Sequence, residues 1–108
     1  MLFRSRLEFV ELLVRVLAAA PDPNVRDGRM AAELGTQLVR QARSWRTLEA
    51  AAMALAETGQ WAAAAARQRE AIEALQPANS DARTALTNNL RRYERHEPCR
   101  VPWTTDPI

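Results

Sequence analysis

The chain contains no lysine, so all fifteen of its basic residues are arginine. A high-GC coding bias explains that as well as any function does. The formal net charge is only +2, and the arginines are scattered, with Arg91 and Arg92 the sole adjacent pair. A nucleic-acid binder concentrates its basic residues on one face, so nucleic-acid binding is disfavoured. Cys99 is the single cysteine, which excludes an internal disulfide and fits a reducing compartment. Long apolar runs are also missing. Residues 7–20 are largely apolar, but Glu8, Glu11 and Arg15 interrupt them, and the stretch is too short for a bilayer. A signal peptide would carry a longer uninterrupted apolar stretch after its charged start. The expectation is a soluble, cytoplasmic chain without membrane insertion.

Aromatics make up 6% of the residues, and the β-branched residues are few and never alternate over a useful length. That pattern excludes a sheet core. There is no glycine-rich phosphate loop, no nucleophile elbow and no zinc-protease helix. His96 and Cys99 lie close in sequence to Glu94 and Glu97, but one His and one Cys do not fill a metal site. No orienting acid or oxyanion loop supports Cys99 as a nucleophile. No residue is therefore assigned to catalysis, cofactor or metal, and the chain is not expected to be an enzyme.

What the chain does have is alanine, leucine and helical periodicity. Apolar residues at Phe9, Leu13, Val16, Leu17 and Ala20, widened by Phe3, Leu7, Val10 and Val14, predict a first helix over roughly 2–20. Its polar stripe is Arg4, Glu8, Glu11 and Arg15. Pro21-Asp22-Pro23 ends it, and Asp22, Arg26, Asp27 and Gly28 read as turn and cap chemistry. Asp27 can cap a second helix whose inner face is Ala31, Leu34, Leu38 and Ala42. Gly35 sits on or near that face, at a cost of about 1 kcal/mol against alanine, which a closely approaching neighbour would offset.

Ser44 can cap a third helix over roughly 45–58, with Leu48, Ala51, Ala52 and Leu55 as its stripe. Gly59-Gln60 forms the next turn. A fourth helix runs from Trp61 to about Leu75, with Ala64, Ala65, Gln68, Ala71, Ile72 and Leu75 inward, and Pro77 closes it. A fifth begins after Asn79-Ser80 and carries Ala82, Leu86, Leu90 and Tyr93 on one side. Pro98, Pro102 and Pro107 exclude regular helix from the tail. The chain thus divides into a helical domain over 1–97 and a proline-containing tail over 98–108.

An internal repeat is visible. Ala31, Gly35 and Leu38 reappear as Ala64, Gln68 and Ala71, an offset of 33 residues. The preceding helices end alike, in Val16-Leu17-Ala18 and Ala54-Leu55-Ala56, at an offset of 38 residues. The difference is the Pro-Asp-Pro loop. On these residues the chain resembles the tetratricopeptide repeat family. The stretch 51–77 matches best: Leu55, Gly59 at the turn, Trp61 opening the next helix, Ala64 and Ala71 at small packing positions, and Pro77 at the close. Gln68 replaces the family's large aromatic, and Pro77 falls about one residue late. The whole chain is similar to a bacterial subtype whose first repeat contains PDPxxRDG, here Pro21 to Gly28, and whose last helix reads like Asn89 to Tyr93 followed by Pro98.

The resemblance implies an all-α fold of two helix pairs plus a C-terminal capping helix, an α-solenoid fragment, and a role in protein–protein contact. It places groove-lining positions at Glu8, Glu11 and Arg15 on the first helix and at Arg46, Glu49, Met53 and Glu57 on the third. A solvated face laced by weak pairs such as Arg4–Glu8 and Glu11–Arg15 is the plainer interpretation of these polar stripes. If they form a groove, Arg15 and Arg46 are candidate exposed clamps for a partner's carboxylates. Trp61 is expected in the core and Trp45 half-buried. Trp103 either folds back onto an open helical end or docks on a partner. The leading expectation is a non-catalytic adaptor or scaffold subunit binding a partner peptide or helix. The alternatives are a structural subunit or capping piece of a larger assembly and an RNA-contacting helical repeat.

Overall fold

A computed structural model describes residues 6–103 and contains five helices: α1 Arg6–Ala19, α2 Gly28–Gln41, α3 Trp45–Glu57, α4 Trp61–Glu73 and α5 Ser80–Glu94. No strand occurs among the described residues. Arg4, Phe3 and Pro107 lie outside them. Each helix packs on the next in sequence, and α1 also packs on α3.

Local chemistry sets the helix ends. The Asp27 carboxylate accepts from Met30 N at 3.1 Å and caps α2. Ser44 and Thr47 cap α3 reciprocally, each side chain accepting from the other's backbone N–H, at 3.4 Å and 2.9 Å. Asn79 caps α5 through Ala82 N at 3.3 Å. At the end of α3, Gly59 takes a left-handed φ of 79°, and Gln60 N donates back to Leu55 O at 2.9 Å. That bond satisfies a carbonyl the helix leaves open.

The end of α5 repeats this geometry without glycine. His96 has φ 61°, and Glu97 N donates to Arg92 O at 2.8 Å. A side chain in this region is strained by roughly 1 kcal/mol or more. Stacking of the imidazole on Trp61 offsets the strain, with ring centroids 5.4 Å apart and planes 7° from parallel. Trp61 is accordingly half-buried beneath His96 rather than enclosed between two helices, and Trp45 is half-buried as well.

Helix α3 is central. Every residue from Thr47 to Ala54 is buried, because α1, α2 and α4 all pack on it. Small residues make this possible. A Cβ added at Gly35 would stand 3.3 Å from the Ala51 Cα, so α2 meets α3 backbone to backbone there. One apolar cluster joins Val14, Ala18, Ala31, Leu38, Met53 and Ala64, and a second joins Leu48, Ala71, Leu75, Ala82 and Leu86. Full burial of each Leu, Val or Met side chain contributes about 1.5–3 kcal/mol. Gln68, inward at 0% exposure, donates from Nε2 to Leu86 O at 2.9 Å and so ties α4 to α5.

Candidate functional site

Two charges lie inside otherwise apolar runs. Arg15 is the sole charge between Glu11 and Asp22, and Glu49 is the sole polar residue from Leu48 to Ala56. The fold brings them together. Arg15 Nη1 donates to Glu49 Oε1 at 2.9 Å, and Arg15 Nε donates to Glu11 Oε2 at 2.8 Å. Arg15 Nη2 donates to the backbone carbonyl of Arg46 at 3.2 Å. Arg15 is 2% exposed and Glu49 0%. Burial disfavours the Arg15 charge, but Glu49 and Glu11 outweigh it and hold its pKa above the ordinary guanidinium value.

The expectation that Arg15, Glu49 and Met53 line an open surface is corrected here. All three are buried, because α1, α2 and α4 pack around α3 and the C-terminal segment adds its own cover at Arg15. Arg15 Nη1 also donates to Pro102 O at 3.1 Å, across 87 residues of sequence. Cys99 is 2% exposed and joins the same apolar cluster as Met53 and Tyr93. Its thiol donates to Val101 O at 3.1 Å, and burial pushes its pKa up. The described part of the tail therefore folds back, with Trp103 half-buried.

Glu57 fastens the tail at its other end. Arg100 Nη1 donates to Glu57 Oε1 at 2.7 Å, while Arg26 Nε donates to Glu57 Oε2 at 3.2 Å. Arg26 Nη1 also donates to Ala20 O at 2.7 Å and Pro21 O at 3.1 Å. The arginine of the first-repeat loop thus closes the end of α1 and locks it to α3, and one carboxylate links that loop to the tail. Neither role of Glu57 is visible in local spacing.

The remaining candidates sit around this centre. Glu11 is half-buried on Arg15. Arg46 is exposed, with its guanidinium carbon 4.6 Å from the Trp45 ring centre, so only its carbonyl enters the site. Glu8 is exposed on α1. Tyr93 reaches the same interior from α5, fully buried, and its hydroxyl finds no hydrogen-bond partner among the described residues. Burial, together with Cys99 and Glu49, raises its pKa well above the ordinary value. Among the described residues, no three His, Cys, Asp or Glu side chains converge as a metal site, and no helix is long and apolar enough to cross a membrane.

Chemically, α1, α3 and α5 offer a guanidinium for a backbone carbonyl, a carboxylate for a cation, and apolar side chains that cluster around a thiol. Residues 98–103 fill those three places with Pro102 O, Arg100 and Cys99. Comparison with family models, with curated proteins and with solved structures finds no match to the chain.

Proposed function

We propose that this chain is a non-catalytic protein–protein interaction module of the tetratricopeptide type, an adaptor or scaffold subunit of the bacterial cytoplasm. In this reading it holds a partner's segment against α1 and α3, where its own tail lies in the resting state. One observation carries the reading. The three recognition elements on that face are satisfied by a segment without regular secondary structure, through a backbone carbonyl at Arg15 and a cation at Glu57. Such contacts read a peptide's main chain and one side chain. A cis-bound segment raises the barrier for any competitor, since the competitor must match contacts made at high effective concentration.

The test uses the chain ended after Glu97 and a labelled peptide of sequence PCRVPWTTDPI. Saturable binding to the shortened chain, and none to the full chain, is the expected result. A peptide carrying Arg100→Ala should bind more weakly. Failure of the peptide to bind a shortened chain that keeps its helical circular dichroism sinks the proposal. Equal binding to both chains does so too.

A further inference from the structure

A second recessed surface lies elsewhere on the molecule, away from the tail. Helices α2 and α4 flank α3 and leave a cleft of about 420 Å³ above it. Its floor is Ala51 and Leu55 of α3, and its walls include Val39 of α2 and Ala63 of α4. The apolar floor is reachable because alanines stand where larger residues would close the gap.

The rim is basic. Arg40, Arg43 and Arg67 all border the cleft. Glu70 pairs with Arg43, and with Arg67 at 2.8 Å. Two guanidiniums thus share one carboxylate, and the third, Arg40, is exposed with no acidic partner among the described residues. The surplus of positive charge stands directly beside apolar surface.

We propose that this cleft docks an acidic amphipathic segment of another protein, seating one aliphatic side chain on Leu55 and Ala51 and offering carboxylates to Arg40 and Arg67. Charge complementarity selects that occupant, since guanidinium binds carboxylate through forked, charge-assisted bonds. Single-stranded nucleic acid fits less well. Its affinity draws on aromatic platforms for base stacking, and no aromatic residue is among the described residues that line the cleft. The surface is independent of the tail-covered face, so a partner here leaves residues 98–103 in place.

The probe is a capped, fluorescein-labelled helical peptide with one leucine flanked by glutamates a turn away on each side. Fluorescence polarisation against the full chain should show saturable binding that weakens with salt. A peptide with lysine for glutamate should not bind. Arg40→Glu should weaken binding about tenfold or more, the scale of one lost charge-assisted contact, and Ala63→Trp, which plugs the cleft, should abolish it. Arg91→Glu, the same charge change on α5, should have no effect. Equal weakening by Arg40→Glu and Arg91→Glu overturns the proposal, as does absence of binding by the acidic peptide. Tighter binding of a labelled oligouridylate, lost in Arg40→Glu, makes the cleft a nucleic-acid site and also overturns it. Arg40 is exposed and holds no other side chain in place, so unchanged circular dichroism is expected for that variant.

Discussion

Arg15 of α1 and Glu49 of α3 are joined by a 2.9 Å ion pair in the interior of the molecule, 34 residues apart in sequence. Arg15 also holds Glu11 of its own helix. Removing Glu49 leaves the buried guanidinium with that one, half-buried carboxylate in a low-dielectric site. Glu49→Ala should therefore cost about 3–5 kcal/mol in urea unfolding. Replacing both, as Arg15→Met with Glu49→Leu, should cost much less, because the one charge left without its partner, Glu11, is half-buried and within reach of solvent. A double variant no more stable than Glu49→Ala would show that the pair's geometry, and not its charge balance, holds α1 to α3. Arg15 is thus a buried anchor of α1 on α3 and not the exposed clamp that its spacing suggests.

Stability should be lost on the alkaline side. Burial raises the Cys99 pKa above the ordinary thiol value of 9.0. In the unfolded chain the thiol ionises near that value, while the folded chain keeps its proton. Folding stability from this group is thus complete below pH 9.0 and falls as pH rises through the folded pKa. Tyr93, raised above its ordinary value of 10.0, adds to the loss at higher pH. Melting temperature measured from neutral to strongly alkaline pH should decline, and Cys99→Ala should flatten the first part of that decline. An unchanged slope in Cys99→Ala would place the thiol in contact with solvent.

Gly35→Ala should destabilise the protein despite alanine's better helix propensity. The propensity gain is about 1 kcal/mol, but the new methyl meets the Ala51 Cα at 3.3 Å. That neighbour is backbone of the central helix and moves only if α2 and α3 separate. Overpacking of this kind costs about 1–3 kcal/mol. Thermal melting is the measurement, and a variant more stable than the parent would mean that α2 can shift without penalty.

Helix boundaries and caps were legible because their chemistry is local. Asp27 and Ser44 each offer a short side-chain oxygen just before an apolar-periodic segment, and both cap; Asn79, read only as part of the turn before α5, caps as well. Gly35 was legible because a glycine inside a helix has few uses other than close approach. The site was legible only in its membership. Family-like spacing marked Arg15, Glu49, Met53 and Glu57, yet Arg15 and Glu57 are held by tail residues 87 and 43 positions away, and no periodicity reports contacts of that separation. A local hint did exist, in that Arg15 and Glu49 are lone charges within apolar runs and such charges need a partner. His96 carried no sequence signal at all. Its left-handed turn is set by its position after α5, and its ring found Trp61 only through the fold.

The return of the chain at His96 has a consequence for the order in which the molecule is completed on the ribosome. Helices α1 and α3 emerge, and can pair Arg15 with Glu49, before the codons for Cys99 to Pro102 have been read. For that interval the face they build stands bare, and any segment present at the site of synthesis meets it without a rival. The final contacts are also among the longest-range in the chain, so they close last. Until residues 99–102 follow, Arg15 and Glu57 lack the carbonyl and the guanidinium that the tail brings them.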